Sequence, residues 1–384
     1  MKYNFKGGVQ LKKILIVQPY IPKYRRKFFS MLETSCNENG MELSIFAPAP
    51  DKVFRLRGDA SSDSHVVREI RVFRFKVMGK QVDYFRFPRG VRFTDFDLVI
   101  MEQTLKNIQY PLLLLQSRKK TKIALWGHGK TIVKKKSRAE EFLQLFLSKR
   151  ADFFFSYTTS GANYLAENGF PKSKLIVLQN SNSSSERLNQ IDSISTRVQT
   201  RSRYTGFHCC FIGALEETKG IHFLLKALPV IKQSLPDFEF TFIGDGPDKN
   251  LIIDFVEANS YVSWLGFRNQ SDLDEICQEY SLILNPGRVG LIAVDSLFLL
   301  LPIVTISGGY HAPEYEYIQN NGTSVEVNGT FQDYALEVIR LLNNPEELEK
   351  MRELASSLRG KYTIEVMVQN FTTGIELCLV DSKI

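Results

Sequence analysis

Residues 285–309 read NPGRVGLIAVDSLFLLLPIVTISGG, and this stretch decides the fold class. An apolar run, Leu282-Ile283-Leu284, stops at Asn285-Pro286-Gly287, residues that end regular structure. Residues 291–300 then carry apolar side chains at helical spacing until Leu301-Pro302, and Ile303-Val304-Thr305-Ile306 runs into Gly308-Gly309. Strand, turn, helix, strand is the unit of a parallel α/β sheet. Gly290 lets the backbone come close to a ligand, and the unpaired N–H groups of a first helical turn attract an anion. Asp295 stands roughly one and a half turns in, where a carboxylate can accept hydrogen bonds from sugar hydroxyls. A nucleotide-sugar diphosphate suits that arrangement. An ordinary βαβ connection with a solvated Asp explains the same residues without a ligand.

The rest of the chain sets the frame. At 384 residues it is long for one core, so two domains are expected. Hydrophobic content of 43% with 24% charge is that of a globular chain. The five Cys show no metal spacing, and the adjacent Cys209-Cys210 sit in a strand-like run as small hydrophobes. Few cysteines, no secretory leader and no apolar run of membrane length imply a cytoplasmic setting. The net charge of +7 favours anionic partners of some kind, whether lipid, substrate or nucleic acid.

Taken in order, strands are expected at 13–17, 41–48, 71–77, 97–101, 122–126, 151–157 and 175–178, with helices over 24–38, 110–118, 139–148 and 160–168. Residues 181–203, rich in Ser, Asn and Gln and without aromatics, break this alternation as a linker would. It restarts with strands at 208–212, 239–243, 262–264, 282–284, 303–306 and 323–326, and ends in helices after 331. The division expected is an N-terminal α/β domain over 1–185, a linker over 186–205, and a second α/β domain over 206–361. A last helix, 362–384, packs back on the first domain.

Several loops at expected strand ends carry chemistry. Lys219, just before the helix that starts at Gly220, is placed to neutralise phosphate; Gly213 opens the same loop. Gly244 and Gly246, in Gly244-Asp245-Gly246-Pro247, would permit close backbone approach to a nucleotide, or form a sharp turn with no ligand. His128, between Gly127 and Gly129, is expected to face a cleft and bond a sugar hydroxyl. His311, Glu314 and Glu316 suit acid–base work, although acids at a helix start explain the two Glu equally well. Tyr24-Arg25-Arg26, residues 84–89 and Lys134-Lys135-Lys136 mix basic with aromatic residues, which suits a membrane surface or an acceptor as well as a solvated basic face. Glu102 ends the strand at 97–101 and is placed with Tyr24 and Arg25 on the acceptor side. No metal cage and no Ser-His-Asp arrangement is present in the pattern.

With these residues quoted, the chain resembles a GT-B glycosyltransferase of the large family-4-like group (glycosyl transferases group 1). The resemblance is strongest over 211–220, 243–247, 262–266 and 284–305. It implies two Rossmann-like doubly wound domains with a cleft between them, the donor being held mainly by the second. Lys219 would hold the diphosphate, Gly290 and Leu291 would face it, Asp295 would bind the ribose, and His128 would lie near the donor sugar. The reaction implied is retaining transfer from a nucleotide sugar, UDP- or GDP-linked, without cofactor or metal. The acceptor implied is a glycan or lipid-linked, as in building bacterial surface polysaccharide or lipopolysaccharide at the inner membrane face. No nucleic-acid partner is expected.

Three positions depart from the family pattern, one of them Asp295, which is shorter than the Glu usual there. A Glu that usually brackets the donor falls on Gly287, and the usual Arg beside the phosphate Lys falls on Ala214. Arg288 is expected to supply the missing cation and is counted with His128 and Lys219 as catalytic. The alternatives are a nucleotide-sugar 2-epimerase of the same fold and a degenerate, non-catalytic GT-B binding module.

Overall fold

In the computed structural model the described residues are 11–49, 67–77, 79–115, 120–130, 137–198 and 207–380. Lys134-Lys135-Lys136, singled out above, lies outside them. The chain forms two compact units: one takes the described residues up to 179 and from 365 on, the other takes 180–364.

In the first unit the strands are β1 (Lys12–Val17), β2 (Met41–Pro48), β3 (Val67–Val77), β4 (Lys80–Arg86), β5 (Leu98–Glu102), β6 (Lys122–Gly127), β7 (Phe153–Ser156) and β8 (Leu175–Val177). They make one sheet in the order β4-β3-β2-β1-β5-β6-β7-β8. All neighbours are parallel except the β3–β4 hairpin at the edge. Ile14 to Val17, Leu98 to Met101 and Ile123 to Gly127 are buried residue after residue, as strands covered on both faces must be. The C-terminal helix, Ile364–Val380, belongs to this unit. Its Phe371 ring lies 5.6 Å from Phe28, 5.0 Å from Trp126 and 4.6 Å from Phe155. Gly374 permits the contact, because a Cβ there would come within 2.6 Å of Phe155.

In the second unit β9 (His208–Ile212), β10 (Glu239–Ile243), β11 (Val262–Trp264), β12 (Leu282–Leu284), β13 (Ile303–Ile306) and β14 (Ser324–Val327) form a parallel sheet. Its order is β11-β10-β9-β12-β13-β14, the doubly wound 3-2-1-4-5-6 arrangement. Strand order reverses between β9 and β12 here, and between β1 and β5 in the first unit. Ligands in such sheets sit beyond the carboxyl ends of the strands at this reversal.

One expectation is corrected. Much of the linker read over 186–205 is helical: Ser185–Val198 is a helix of the second unit. Leu188 and Ile191, three residues apart on one face, pack into that unit's core, with Ile191 fully buried. The chain passes between the units at 179–180 and 364–365 instead. Within the second unit these two passages are bonded: Ser181 Oγ donates to the Tyr362 carbonyl at 2.7 Å, and the Ile364 N–H to the Ser183 carbonyl at 2.8 Å.

Candidate functional site

The two loops at the second unit's strand reversal are built against each other. Gly220 takes the left-handed conformation (φ 72°) that starts the helix Ile221–Ser234. Gly287 touches the preceding turn so closely that a Cβ would stand 2.1 Å from the Lys219 carbonyl carbon. The Arg288 N–H donates to the Thr218 carbonyl at 2.9 Å, and the Val289 N–H to His311 Nδ1 at 3.1 Å. Residues 287–289 are thus clamped from both sides. A Glu side chain at 287 has no room, which gives a steric reason for that departure.

This packing brings Lys219 and Arg288 together. Lys219 Nζ donates to the Arg288 carbonyl oxygen at 2.6 Å. Burial first, then the nearby Arg288 charge, hold the Lys219 ammonium down at about 8, against a weaker opposing pull from Glu216. Arg288 Nε is buried and meets no hydrogen-bond partner among the described residues. Ala214 is exposed on the same loop. Two neighbouring cations, with only the weaker pull of Glu216 against them, form an anion site. The helix Ile292–Leu299 begins beside it, after Gly290 and Leu291, and space remains at Gly290, where a Cβ would meet nothing nearer than Ala312 at 3.8 Å.

Gly244 and Gly246 have a nearer purpose than ligand contact, whereas a Cβ at Gly213 would meet only side chains, none nearer than 3.7 Å. A Cβ at Gly244 (φ 144°) would lie 1.8 Å from the Gly213 carbonyl oxygen, and one at Gly246 lies 2.4 Å from that of Leu215. Their missing side chains let the loops after β9 and β10 lie backbone to backbone, with the Leu215 N–H on the Asp245 carbonyl at 3.1 Å.

Asp295 sits in a polar cluster that the linker reading hid. Arg187 grips Asp274 with Nε (2.8 and 3.1 Å) and Nη2 (2.7 Å). Its Nη1 donates to Ser183 Oγ at 2.6 Å and to Asp295 Oδ1 at 2.5 Å. Gln270 Nε2 adds a 3.3 Å bond to Oδ1, and Asn182 Nδ2 reaches Oδ2 at 3.3 Å. Burial pushes the Asp274 carboxyl up, and Arg187 opposes it. His311 and Glu314 hold structure rather than face open space: His311 accepts from Val289, and buried Glu314 accepts from Asn180.

In the first unit the strand reversal opens a pocket of about 300 Å³. Val17, Tyr20, Met101 and Tyr110 line it, with Asp83 and Glu102 among its polar groups. The loop after β5 is tied to the β3–β4 hairpin by Asp83 N–H to the Lys106 carbonyl (2.8 Å) and Ile108 N–H to the Asp83 carbonyl (3.1 Å). Burial raises the Glu102 carboxyl to about 7, Lys106 pulling the other way. Arg25, read as an acceptor contact, is instead buried at 5% exposure in an aromatic box: its guanidinium lies 5.2 Å from the Tyr24 ring and 5.7 Å from those of Phe28, Trp126 and Tyr157. Neither Arg25 nor Tyr24 lines the pocket. His128 follows β6, its ring 4.7 Å from that of Tyr157, on a loop fixed by Gln103, which bonds both the N–H and the carbonyl of Gly129 at 3.1 Å. Among the described residues no group of three or more His, Cys, Asp or Glu could hold a metal ion. No helix among them is long and apolar enough to cross a membrane.

Comparison with known proteins agrees with this architecture. Residues 193–357 match the family Glycosyl transferases group 1. The α-monoglucosyldiacylglycerol synthase of Acholeplasma laidlawii is 26% identical over 187 residues, 46% of this chain and 45% of that protein, so the match spans less than half of that relative. The Anabaena protein Alr3699/HepE, solved with UDP-glucose, superposes with a TM-score of 0.62 at 14% identity, covering 95% of this chain and 99% of that one. A Staphylococcus aureus TarM variant, solved with Fondaparinux, alpha-GlcNAc-glycerol and UDP, gives 0.60 at 10% identity, covering 96% and 100%. The resemblance drawn from the sequence is met by the two-unit fold over nearly the whole chain and by the group 1 family match over residues 193–357.

Proposed function

We propose, from a GT-B chain whose residues 193–357 match the glycosyl transferases group 1 family, that the protein is a retaining glycosyltransferase using a nucleotide-sugar donor. The single observation that carries this is the cation pair Lys219 and Arg288 at the strand reversal of the second unit. There the donor's diphosphate is neutralised, and the charge that grows on it as the sugar C1–oxygen bond breaks is stabilised by the same two side chains. A new bond forms from C1 to an acceptor hydroxyl oxygen, on the face the diphosphate leaves, and the hydroxyl proton passes to the departing diphosphate. The acceptor in this reading is a glycan or lipid-linked glycan of a bacterial surface polysaccharide or lipopolysaccharide. UDP and UDP-glucose in complexes of the fold neighbours support a uridine donor.

Calorimetric titration with UDP, GDP, ADP, CMP and dTDP, repeated on Lys219→Ala, tests this. Binding of one nucleotide that weakens in the variant is expected. Absence of binding by all five would remove the donor-site reading. Interconversion of a free nucleotide sugar without acceptor would replace transferase by 2-epimerase, and binding without donor cleavage would leave a non-catalytic module.

A further inference from the structure

Of the three charged side chains in the buried cluster of the second unit, Arg187 and Asp274 are each 4% exposed and Asp295 13%. One guanidinium meets two carboxylates, so a formal negative charge is left over, and only Asp295 presents it to solvent. The two oxygens of Asp295 are unequal. Oδ1 is taken by Arg187 Nη1 at 2.5 Å and Gln270 Nε2 at 3.3 Å, whereas among the described residues Oδ2 has only the long 3.3 Å contact from Asn182. A carboxylate offers about four lone-pair sites, so Oδ2 keeps capacity for a further donor. Arg187 is itself fixed: Asp274 grips it through two nitrogens, Ser183 holds Nη1, and the guanidinium lies 5.4 Å from the Phe298 ring centre. Asp295 is carried by the helix Ile292–Leu299, whose start lies beside the Lys219–Arg288 pair.

We infer that Arg187 is a positioning residue for the nucleotide: by holding Oδ1 it turns Oδ2 of Asp295 toward a vicinal diol, the ribose 2′- and 3′-hydroxyls of a nucleoside diphosphate. This rests on the donor-site reading above. Arg187 touches no ligand and acts only through Asp295. Asp274 keeps the guanidinium from swinging away, and Gln270 and Asn182 complete the frame.

The test compares ribose with a sugar that lacks the diol. UDP and GDP, each with its 2′,3′-dideoxy analogue, are titrated into wild type, Arg187→Met, Arg187→Lys and Asp295→Asn, with folding checked by circular dichroism. The wild type is expected to prefer the ribose form by about tenfold or more, as loss of a charge-assisted hydrogen bond implies. Arg187→Met and Asp295→Asn should bind the dideoxy form within about twofold of wild type and lose that preference, and Arg187→Lys should restore part of it. A merely structural role would weaken both forms alike. Should Arg187→Met fail to fold, Arg187→Lys decides: it keeps the charge but not the guanidinium fork that holds Oδ1, and should lose part of the ribose preference while binding the dideoxy form as wild type does. Nucleotide binding by wild type without any preference for ribose, or a preference that survives in the folded variants, overturns the positioning role and leaves the donor site standing. Failure of wild type to bind either nucleotide removes the donor site, and this inference with it.

Discussion

Lys219 Nζ donates to the backbone carbonyl oxygen of Arg288 at 2.6 Å, so the loops after β9 and β12 place two cations side by side. Burial and the Arg288 charge hold the Lys219 ammonium down at about 8. A bound diphosphate would favour the charged form and raise it again, so binding takes up a proton when the pH is near or above 8. The nucleotide's own phosphate ionises near pH 6 and is complete below this range (about 6). Affinity for UDP should therefore fall by about tenfold between pH 7 and pH 9 as Lys219 loses its proton. Lys219→Arg should flatten the curve. A wild-type affinity that does not change over this range would mean that the diphosphate sits elsewhere.

Arg288→Ala tests the substitution of one cation for another. Ala214 is exposed where the family pattern places an Arg, and Arg288 approaches the same Lys from the opposing loop. Removing it should weaken UDP binding by about tenfold, the worth of a charge-assisted contact, and lower turnover further if the contact strengthens as bond cleavage proceeds. The Lys219 ammonium, relieved of a like charge, should rise above 8, so the affinity loss just described moves to higher pH. Unchanged affinity and turnover would refute the compensation.

How much of this the sequence disclosed follows from the range of each interaction. The parallel sheets were legible because a strand covered on both faces must be apolar at every residue, as in Ile14-Leu15-Ile16-Val17. Lys219 and Arg288 were legible as loop cations at strand ends. The Arg187 cluster was not, since its partners lie 87 and 108 residues away and its own segment is Ser-rich and polar. A helical signal was available in Leu188 and Ile191, but composition outweighed it. Arg25 misled for a related reason: beside Tyr24 and Arg26 it looks like a surface patch, and only the fold brings Trp126, Tyr157 and Met367 around it. Likewise Gly244 and Gly246 signalled close approach correctly, but what approaches is a neighbouring loop.

Gly287→Ala should show that this contact is steric. A Cβ would stand 2.1 Å from the Lys219 carbonyl carbon and 2.5 Å from its Cα, and both are backbone atoms that cannot rotate aside. The two loops must part by an ångström or more (~1 Å), at a cost of about 1–3 kcal/mol. Thermal or urea unfolding should record that loss, and UDP affinity should fall with it because Lys219 moves away from Arg288. Gly290→Ala, with its nearest neighbour 3.8 Å off, is the control and should keep wild-type stability. Equal stability of both variants would show that the loop yields freely.

Glu102 gives a pH-dependent stability of the opposite sense to a paired carboxylate. Burial raises it from 4.5 to about 7 in the folded chain, with Asp83 adding to the rise and Lys106 opposing it. Below pH 4.5 the group is protonated in folded and unfolded chains alike and contributes nothing. Between 4.5 and 7 the folded chain binds the proton more tightly, so stability falls as pH rises, and above 7 the full cost of a buried carboxylate is present. Glu102→Gln keeps the shape and removes the charge. It should match wild type near pH 4.5 and exceed it at pH 8 by at most about 3 kcal/mol, less to the extent that solvent reaches the half-buried group. Urea midpoints of both proteins at the two pH values measure this directly. A difference that does not grow with pH would mean that Glu102 is solvated, and the pocket beside β1 and β5 would then be open to water at its base.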